Sequence, residues 1–165
     1  MPRKFKIFFL VLILLLPVFS FKTEAQGTYR VVIEDEEDLL TESEESLLKA
    51  KMQPITAYGN VAFVTVSQYS ETDTYAKKKY RELFGTESGI LFLIDMGRRN
   101  IWIFSDGAVY RVINKAYANT ITDNVYRKAS RGDYYGCASD VFEQALILLE
   151  GGKIAQPMKY ISNAL

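Results

Sequence analysis

Two apolar runs between residues 89 and 106 constrain the fold more than any other feature of the sequence. Residues 90–94 and 101–104 are uninterrupted by polar side chains, and the segment between them is polar and contains Gly97. Two β-rich runs joined by such a segment predict an antiparallel hairpin. Because neither run alternates apolar with polar residues, we expect both faces of the hairpin to be buried. The sequence therefore predicts a central sheet that is covered on each side.

The segment before the hairpin predicts a βαβ unit. Residues 61–66 form a mostly apolar strand candidate, and Ala76, Tyr80 and Phe84 then recur every four residues, as on one face of a helix. A strand, a helix and a strand in this order predict parallel strands joined by a right-handed crossover. With residues 29–33 as a further short strand, the predicted fold class is α/β, a three-layer α/β/α sandwich around a mixed sheet of about four strands.

Capping and breaking residues mark the ends of the predicted helices. Thr41 and Glu44 have the spacing of a capping box, and Pro54 predicts that the helix they begin ends near Met52 or Gln53. The remaining predicted features are helix-cap residues at 70–73, a brief strand or extended lead-in at 108–113, a third helix at about 114–129, and a last helix that Asp133 caps and Gly151-Gly152 ends.

Residues 1–25 have the composition of a targeting segment. A basic region with Arg3, Lys4 and Lys6 precedes an apolar stretch at residues 7–21. A spanning helix needs about 20 apolar residues, so a cleaved signal peptide is our first interpretation and an uncleaved N-terminal membrane anchor is the alternative. Both interpretations predict an extracytoplasmic domain, secreted or anchored outside the cytoplasmic membrane.

One domain follows this segment. No internal repeat or low-complexity linker interrupts residues 26–152, which we assign to a single domain. Residues 153–165 form a C-terminal tail in which Pro157 and Lys159 precede an apolar end. The tail is interpreted either as a loose segment packed on the domain or as the approach to a membrane segment.

The composition narrows the range of functions. The sequence has no histidine, which removes histidine-dependent hydrolase triads, histidine acid–base catalysis and the usual zinc sites. Its one cysteine, Cys137, excludes an internal disulfide. Removing residues 1–25 takes four basic residues and one acidic residue from 20 of each, which leaves a net charge of −3. This charge gives no electrostatic reason to expect nucleic-acid binding.

A series of short motifs runs in order through residues 30–150. The motifs are Val32-Ile33-Glu34-Asp35, Leu39-Leu40-Thr41, the strand at 61–66, Tyr75-Ala76, Leu83-Phe84-Gly85, Ser88-Gly89 with the run to Ile94, Ser105-Asp106-Gly107, and Arg131-Gly132-Asp133-Tyr134-Tyr135-Gly136. In this order they resemble the TPM-domain family, which includes a thylakoid-lumen protein of the photosystem II repair cycle and many exported bacterial proteins. The loop at residues 85–89 is shorter than the Trp-Gly-x-Gly loop of the family.

The resemblance implies a fold and several possible activities. It implies an α/β/α sandwich in an exported or membrane-tethered protein, with an accessory role in the assembly of membrane complexes. The resemblance also implies possible calcium binding and acid phosphatase activity, which are associated with plant members of the family. Bacterial relatives often carry a transmembrane segment after the domain.

Three aspartates stand in the family-like motifs and are the candidate metal ligands. Asp35, Asp106 and Asp133 carry the carboxylate oxygens that Ca²⁺ prefers. Each also has a structural interpretation, since Asp133 can cap a helix, Asp106 can form a turn before Gly107, and Asp35 lies in a solvated acidic run. Asp95 follows a central parallel strand, where α/β sheets bind ligands, and it equally suits the first position of a turn.

These observations predict an accessory or interaction domain without catalysis. The expected partner is a membrane protein or a membrane-associated complex, and no nucleic acid is expected. One alternative is a metal-dependent, calcium-binding phosphatase that uses the aspartates, and another is a structural calcium-binding domain that uses the same aspartates without turnover. Phosphoryl transfer without histidine would need a metal to supply the electrostatic stabilisation, and the sequence assigns no catalytic residue.

Overall fold

The structure, a computed structural model, describes residues 29–68 and 70–156. The predicted signal peptide or anchor at residues 1–25 and most of the predicted tail lie outside the described residues. The strands are β1 (Val31–Asp35), β2 (Asn60–Val66), β3 (Gly89–Asp95) and β4 (Asn100–Asp106). The helices are α1 (Glu42–Met52), α2 (Thr72–Phe84), α3 (Gly107–Val112), α4 (Lys115–Ser130) and α5 (Tyr134–Leu149), with a 3-10 helix at Gln53–Ala57.

The four strands form one mixed sheet in the order β1-β2-β3-β4. β1, β2 and β3 are parallel, and β4 returns antiparallel to β3 as the predicted hairpin. The carboxyl ends of the three parallel strands therefore lie at one end of the sheet, and the carboxyl end of β4 lies at the opposite end. This arrangement confirms the predicted mixed sheet and its βαβ unit.

Alternate residues of the central strands supply two separate cores. Phe63 and Phe92 face a large cluster that contains side chains of α1, α4 and α5, among them Leu48 and Phe142. Val64 and Leu93, which point the other way, pack with α2 in a second cluster. Helices therefore cover both faces of the sheet, and the predicted α/β/α sandwich is confirmed. None of the helices described has the length and apolar character needed to cross a membrane.

The prediction that both hairpin strands are buried on both faces holds only for β3. Every residue of β3 is buried, whereas in β4 only Ile103 is. β4 is the last strand of the sheet and has a neighbour on one side only, so its side chains remain partly open to solvent. An unbroken apolar run therefore predicted the strand correctly but not its position at the edge of the sheet.

The predicted strand or extended lead-in at residues 108–113 is wrong, because this segment contains α3. Asp106 is its N-cap and accepts a hydrogen bond from the Gly107 N–H at 2.8 Å. The Val109 N–H donates to the Ser88 hydroxyl at 3.0 Å. A Cβ on Gly107, which has φ +63°, would lie 2.8 Å from the Ser88 Cα. The close approach of the loop before β3 thus holds a short helix that periodicity alone does not distinguish from a strand.

The predicted cap of α2 at residues 70–73 is only partly correct. Glu71 occupies the N-cap position, but its side chain makes no capping hydrogen bond. The hydroxyl of Thr72 instead donates to Asp95 at 3.0 Å. A long-range contact therefore takes the side chain that the local sequence offered as a helix cap.

The predicted capping box at the start of α1 is confirmed. The Glu44 N–H donates to the Thr41 hydroxyl at 3.3 Å, and the Thr41 N–H donates to the Glu44 carboxylate at 2.9 Å. The helix ends at Met52, as the sequence predicts, and a 3-10 helix that contains Pro54 follows. The backbone hydrogen bond from Thr41 lowers the pKa of Glu44 below its ordinary value of 4.5.

We expect the stabilisation that Glu44 provides to disappear in acid. Because the pKa of Glu44 is lower in the folded protein than in the unfolded chain, this stabilisation is complete above the ordinary pKa and is lost as the pH falls through the lowered value. Glu44→Gln should therefore melt below the parent at neutral pH, and the difference should shrink in acid. Melting temperatures across the acid range provide the measurement. Glu42→Gln, which removes a carboxylate of the same turn outside the capping box, is the matched control, and an unchanged pH profile for Glu44→Gln would contradict the prediction.

Candidate functional site

A cleft lies where the parallel strands end. Its volume is about 460 Å³, and it lies between the β3–β4 turn, α4 and the start of α5. Ligand sites of α/β sheets occur at this end of the sheet, beyond the carboxyl ends of the parallel strands. The cleft is lined by Ile94, Asp95, Met96, Arg99, Asn100, Ile101, Tyr126, Ala129, Ser130 and Tyr134.

Asp95 holds the rim of the cleft in place. It is fully buried, and its Oδ2 accepts hydrogen bonds from the Gln68 side-chain amide at 2.6 Å and the Thr72 hydroxyl at 3.0 Å. Its Oδ1 accepts from the Arg98 N–H at 3.1 Å. One carboxylate thus joins the end of β2, the start of α2 and the β3–β4 turn. The sequence suggested either a ligand-binding residue or the first residue of a turn at Asp95, and these contacts are those of a turn residue.

The β3–β4 turn presents one arginine to the cleft and anchors another. The Arg98 guanidinium pairs with the Glu71 carboxylate of the α2 start at 3.1 Å. Arg99 has φ +52°, in the left-handed region, and its exposed side chain contributes to the cleft lining. Two adjacent arginines therefore have different roles, because the turn directs one toward α2 and the other toward the cleft.

Aromatic side chains form the opposite wall of the cleft. Tyr126 of α4 is 49% exposed, and Tyr134 begins α5. The Arg127 guanidinium lies 5.9 Å from the centre of the Tyr126 ring and donates to its hydroxyl at 3.2 Å. A cationic and aromatic cleft of this kind can receive an extended polar or anionic group through hydrogen bonds and ring contacts.

Asp35, the first predicted metal ligand, connects β1 to β2. Its carboxylate accepts hydrogen bonds from the Thr65 hydroxyl at 2.5 Å and from the Leu40 N–H at 2.7 Å. The same Thr65 oxygen accepts from the Glu37 N–H at 3.0 Å. Asp35 thereby fixes the loop that leads into α1.

The other two predicted ligands have local structural roles. Asp106 caps α3 and pairs with the Arg81 guanidinium of α2 at 2.5 Å. Asp133 caps α5 by accepting from the Gly136 N–H at 2.9 Å. The structure confirms the predicted N-cap at Asp133, whereas Asp106, predicted as a turn residue, ends β4 and caps α3 instead.

The structure does not bring the three aspartates together. Asp35 lies in the same row of the sheet as Ile101 of β4, whereas Asp106 lies five residues further along β4, about 17 Å at the usual rise of a strand. In the described ranges 29–68 and 70–156, no group of three or more histidine, cysteine or acidic side chains is arranged to hold a metal ion. Of the predicted ligands, only Asp133 is adjacent in sequence to a cleft residue, Tyr134.

Cys137 is buried within α5 and faces the larger core. Burial raises the pKa of its thiol to about 12. A thiol with so high a pKa is protonated at neutral pH and unsuited to nucleophilic attack. Cys137 is therefore a small buried residue of the larger core.

Sequence reasoning did not identify the cleft residues as a group. Arg99 lies in the polar segment between the two predicted hairpin strands, Tyr126 lies in the predicted third helix, and Tyr134 follows the predicted cap Asp133, but none of these patterns indicates a site. The one usable indication was Asp95, which marked the end of a central strand. Because the wall residues lie about 30 positions further along the chain, only the packing of α4 against β4 places them beside this turn.

Comparisons with known proteins bear on the whole domain. The sequence model of the TPM domain family matches residues 33–146. A search of curated proteins found no significant match. Among solved structures, the chain is similar to the N-terminal domain of a P. gingivalis protein, with TM-score 0.63, 15% identity, and coverage of 72% of this chain and 82% of that one.

Two further solved structures show the same fold. The N-terminal domain of the cg2496 protein of Corynebacterium glutamicum has TM-score 0.57 and 14% identity, over 72% of this chain and 78% of that one. The BA42 protein of Bizionia argentinensis has TM-score 0.59 and 16% identity, over 69% of this chain and 83% of that one. At these identities the likeness concerns the fold alone.

Proposed function

This chain belongs to the TPM domain family, and from that premise we propose that it acts outside the cytoplasm as an accessory domain that binds its partner through the cleft between the β3–β4 turn, α4 and α5. The observation that carries the proposal is the cleft itself, with Arg99 on one wall and Tyr126 on the other. Its volume of about 460 Å³ lies within the usual range of ligand-binding pockets.

The contacts beneath the cleft favour binding. The Asp95 carboxylate is occupied by three hydrogen-bond donors, and Asp35 holds a loop through two more. The Asp95 carboxylate fixes the β3–β4 turn and so holds this wall of the cleft in one geometry before a partner arrives, whereas Asp35 fixes the loop before α1, which does not line the cleft. A rim that is already ordered loses less conformational entropy on binding.

The position outside the cytoplasm and the nature of the partner come from the sequence. The basic and apolar segment at residues 1–25 supports export or anchoring. A domain attached to the membrane, or working next to it, meets membrane proteins and their complexes most often. We therefore propose a membrane protein or a membrane-associated complex as the partner.

Cross-linking in the native host tests this proposal. The full chain is expressed, cross-linked in intact cells, solubilised in detergent and purified. We expect a defined membrane-protein adduct that is lost when Tyr126→Ala and Arg99→Glu alter the two cleft walls. A membrane-impermeant cross-linker should form the adduct, because the domain lies outside the cytoplasm.

Tyr110→Ala is the matched control for the cleft variants. Tyr110 lies on α3 and is 49% exposed, the same fraction as Tyr126, but it does not line the cleft. Adducts that persist in Tyr126→Ala and Arg99→Glu, or that disappear equally in Tyr110→Ala, would refute binding at the cleft. Phosphate-ester hydrolysis by the parent that Asp133→Ala abolishes would instead support the phosphatase alternative.

A further inference from the structure

The outer edge of β1 is a second feature of the molecule, far from the cleft. β1 is the first strand of the sheet and pairs on one side with β2. The carbonyl of Arg30 accepts from the Val61 N–H at 3.0 Å, so the backbone groups of Arg30 and, two residues on, of Val32 face β2. Because backbone groups alternate along a strand, those of Val31 and Ile33 face outward.

A groove runs along this edge beneath α1. It has a volume of about 470 Å³ and is lined by Val31, Val32 and Ile33 of the strand and by Glu45, Ser46 and Lys49 of the helix. The three strand residues are only partly buried. The groove thus offers outward backbone hydrogen-bonding groups and apolar side chains together, which is what an added strand needs.

We propose that a second copy of this chain occupies the groove, with the two β1 strands antiparallel about a two-fold axis at Val32. In this register Val31 of each copy lies opposite Ile33 of the other, and the two residues exchange N–H···O=C hydrogen bonds. The two sheets then join into one continuous sheet of eight strands. This surface is separate from the cleft, so the inference does not depend on the proposed function.

The charges of β1 are complementary to themselves in this arrangement. Arg30 and Glu34 lie two residues on either side of Val32, so the two-fold axis places each opposite the other in the second copy. The Arg30 guanidinium donates to the Leu83 carbonyl at 2.5 Å, and Lys79 pairs with Glu34 at 2.6 Å. Contacts with α2 therefore already orient both side chains.

The charges of α1 repeat the same complementarity. Glu45 and Lys49 lie one turn apart and both line the groove. A two-fold axis that pairs the β1 strands also sets the two α1 helices antiparallel to each other. Glu45 of one copy then approaches Lys49 of the other, so helix and strand favour the same partner.

Disulfide trapping tests the proposal directly. The full chain carrying Val32→Cys is oxidised and resolved on a non-reducing gel. The two Val32 positions form a non-hydrogen-bonded pair with Cα atoms about 4.5 Å apart, which a disulfide spans. We expect most of the chain to run as a covalent dimer. The native Cys137 is buried, so the parent chain should stay monomeric on the same gel.

Two sets of controls separate specific pairing from collision. Leu47 on α1 is 56% exposed but does not line the groove. Leu47→Cys should therefore cross-link far less than Val32→Cys. In the Val32→Cys background, Glu45→Lys should reduce the dimer several-fold, and Glu45→Lys with Lys49→Glu should restore it. Sedimentation of the unmodified full chain in detergent, expected to show a dimer, is the readout that needs no substitution.

The proposal is overturned by a chain that sediments as a monomer. It is also overturned if Val32→Cys forms no dimer, if Leu47→Cys dimerises as fast, or if the charge exchange restores nothing. A monomer would mean that another protein or a terminal segment of the same chain covers β1, or that its edge stays open.

Discussion

Replacing Tyr80 by alanine is expected to lower the free energy of unfolding by about 3–5 kcal/mol, the usual range for truncating a buried aromatic residue. Tyr80 is fully buried in the smaller core, where α2 meets the sheet. Its ring lies edge-on to Phe84 at 5.4 Å and 4.9 Å from Phe104 of β4. Losing this ring leaves a cavity beneath α2, which by itself covers this face in the described part of the chain. Chemical denaturation monitored by circular dichroism provides the measurement.

One further substitution separates the hydroxyl of Tyr80 from its ring, and another serves as the control at an exposed tyrosine. The hydroxyl donates to the Glu87 carbonyl at 2.6 Å, so Tyr80→Phe should cost only about 1 kcal/mol. Tyr110→Ala, at an exposed tyrosine, should change stability by no more than about 0.5 kcal/mol. If Tyr80→Ala costs no more than Tyr80→Phe, the ring does not anchor α2 and the assignment of the second core is wrong.

Replacing Asp95 by alanine is expected to cost about 3 kcal/mol or more and to abolish binding at the cleft. The change leaves the buried Thr72 hydroxyl without this acceptor, at about 1–3 kcal/mol for an unpaired buried donor, and it also removes the partly buried hydrogen bonds from the Gln68 amide and the Arg98 N–H. The effect on binding follows because the β3–β4 turn, which carries Arg99, loses its connection to Gln68 and Thr72. Denaturation and the cross-linking yield in cells give the two measurements.

Comparison with two other variants shows whether this effect comes from the shared acceptor. Asp95→Asn retains one carbonyl acceptor and nearly the same volume, so it should lose about 1 kcal/mol. Asp133→Ala removes a helix cap and should also lose about 1 kcal/mol. A loss for Asp95→Ala no larger than that for Asp133→Ala would show that Asp95 does not hold the rim.

Much of the architecture could be predicted because its causes are local. The capping box at Thr41, the N-cap at Asp133 and the end of α1 near Pro54 depend on neighbouring backbone groups. The central strands were recognised from apolar runs, since a strand buried on both faces has no polar side to show. The helix at α3 was missed because its formation depends on Ser88, a residue about 20 positions away.

The candidate site depended on information that the local sequence does not carry. The predicted hairpin implied that Asp106 lies at the end of the sheet where β3 begins, but nothing in the local sequence fixed the direction of β1. Only the parallel pairing of β1 with β2 places Asp35 at the opposite end of the sheet, away from Asp106. Likewise, no local pattern brings Tyr126 beside the turn that follows β3.

The sequence by itself determined the strands, most of the helices and the layered α/β/α arrangement, since periodicity, caps and apolar runs act over a few residues. The tertiary structure alone decided which polar groups meet, Asp95 with Gln68 and Thr72 and Asp106 with Arg81, and it alone placed Arg99 across the cleft from the tyrosine wall. The physical reason is that side-chain chemistry acts over a few ångströms, and packing rather than sequence spacing sets those distances.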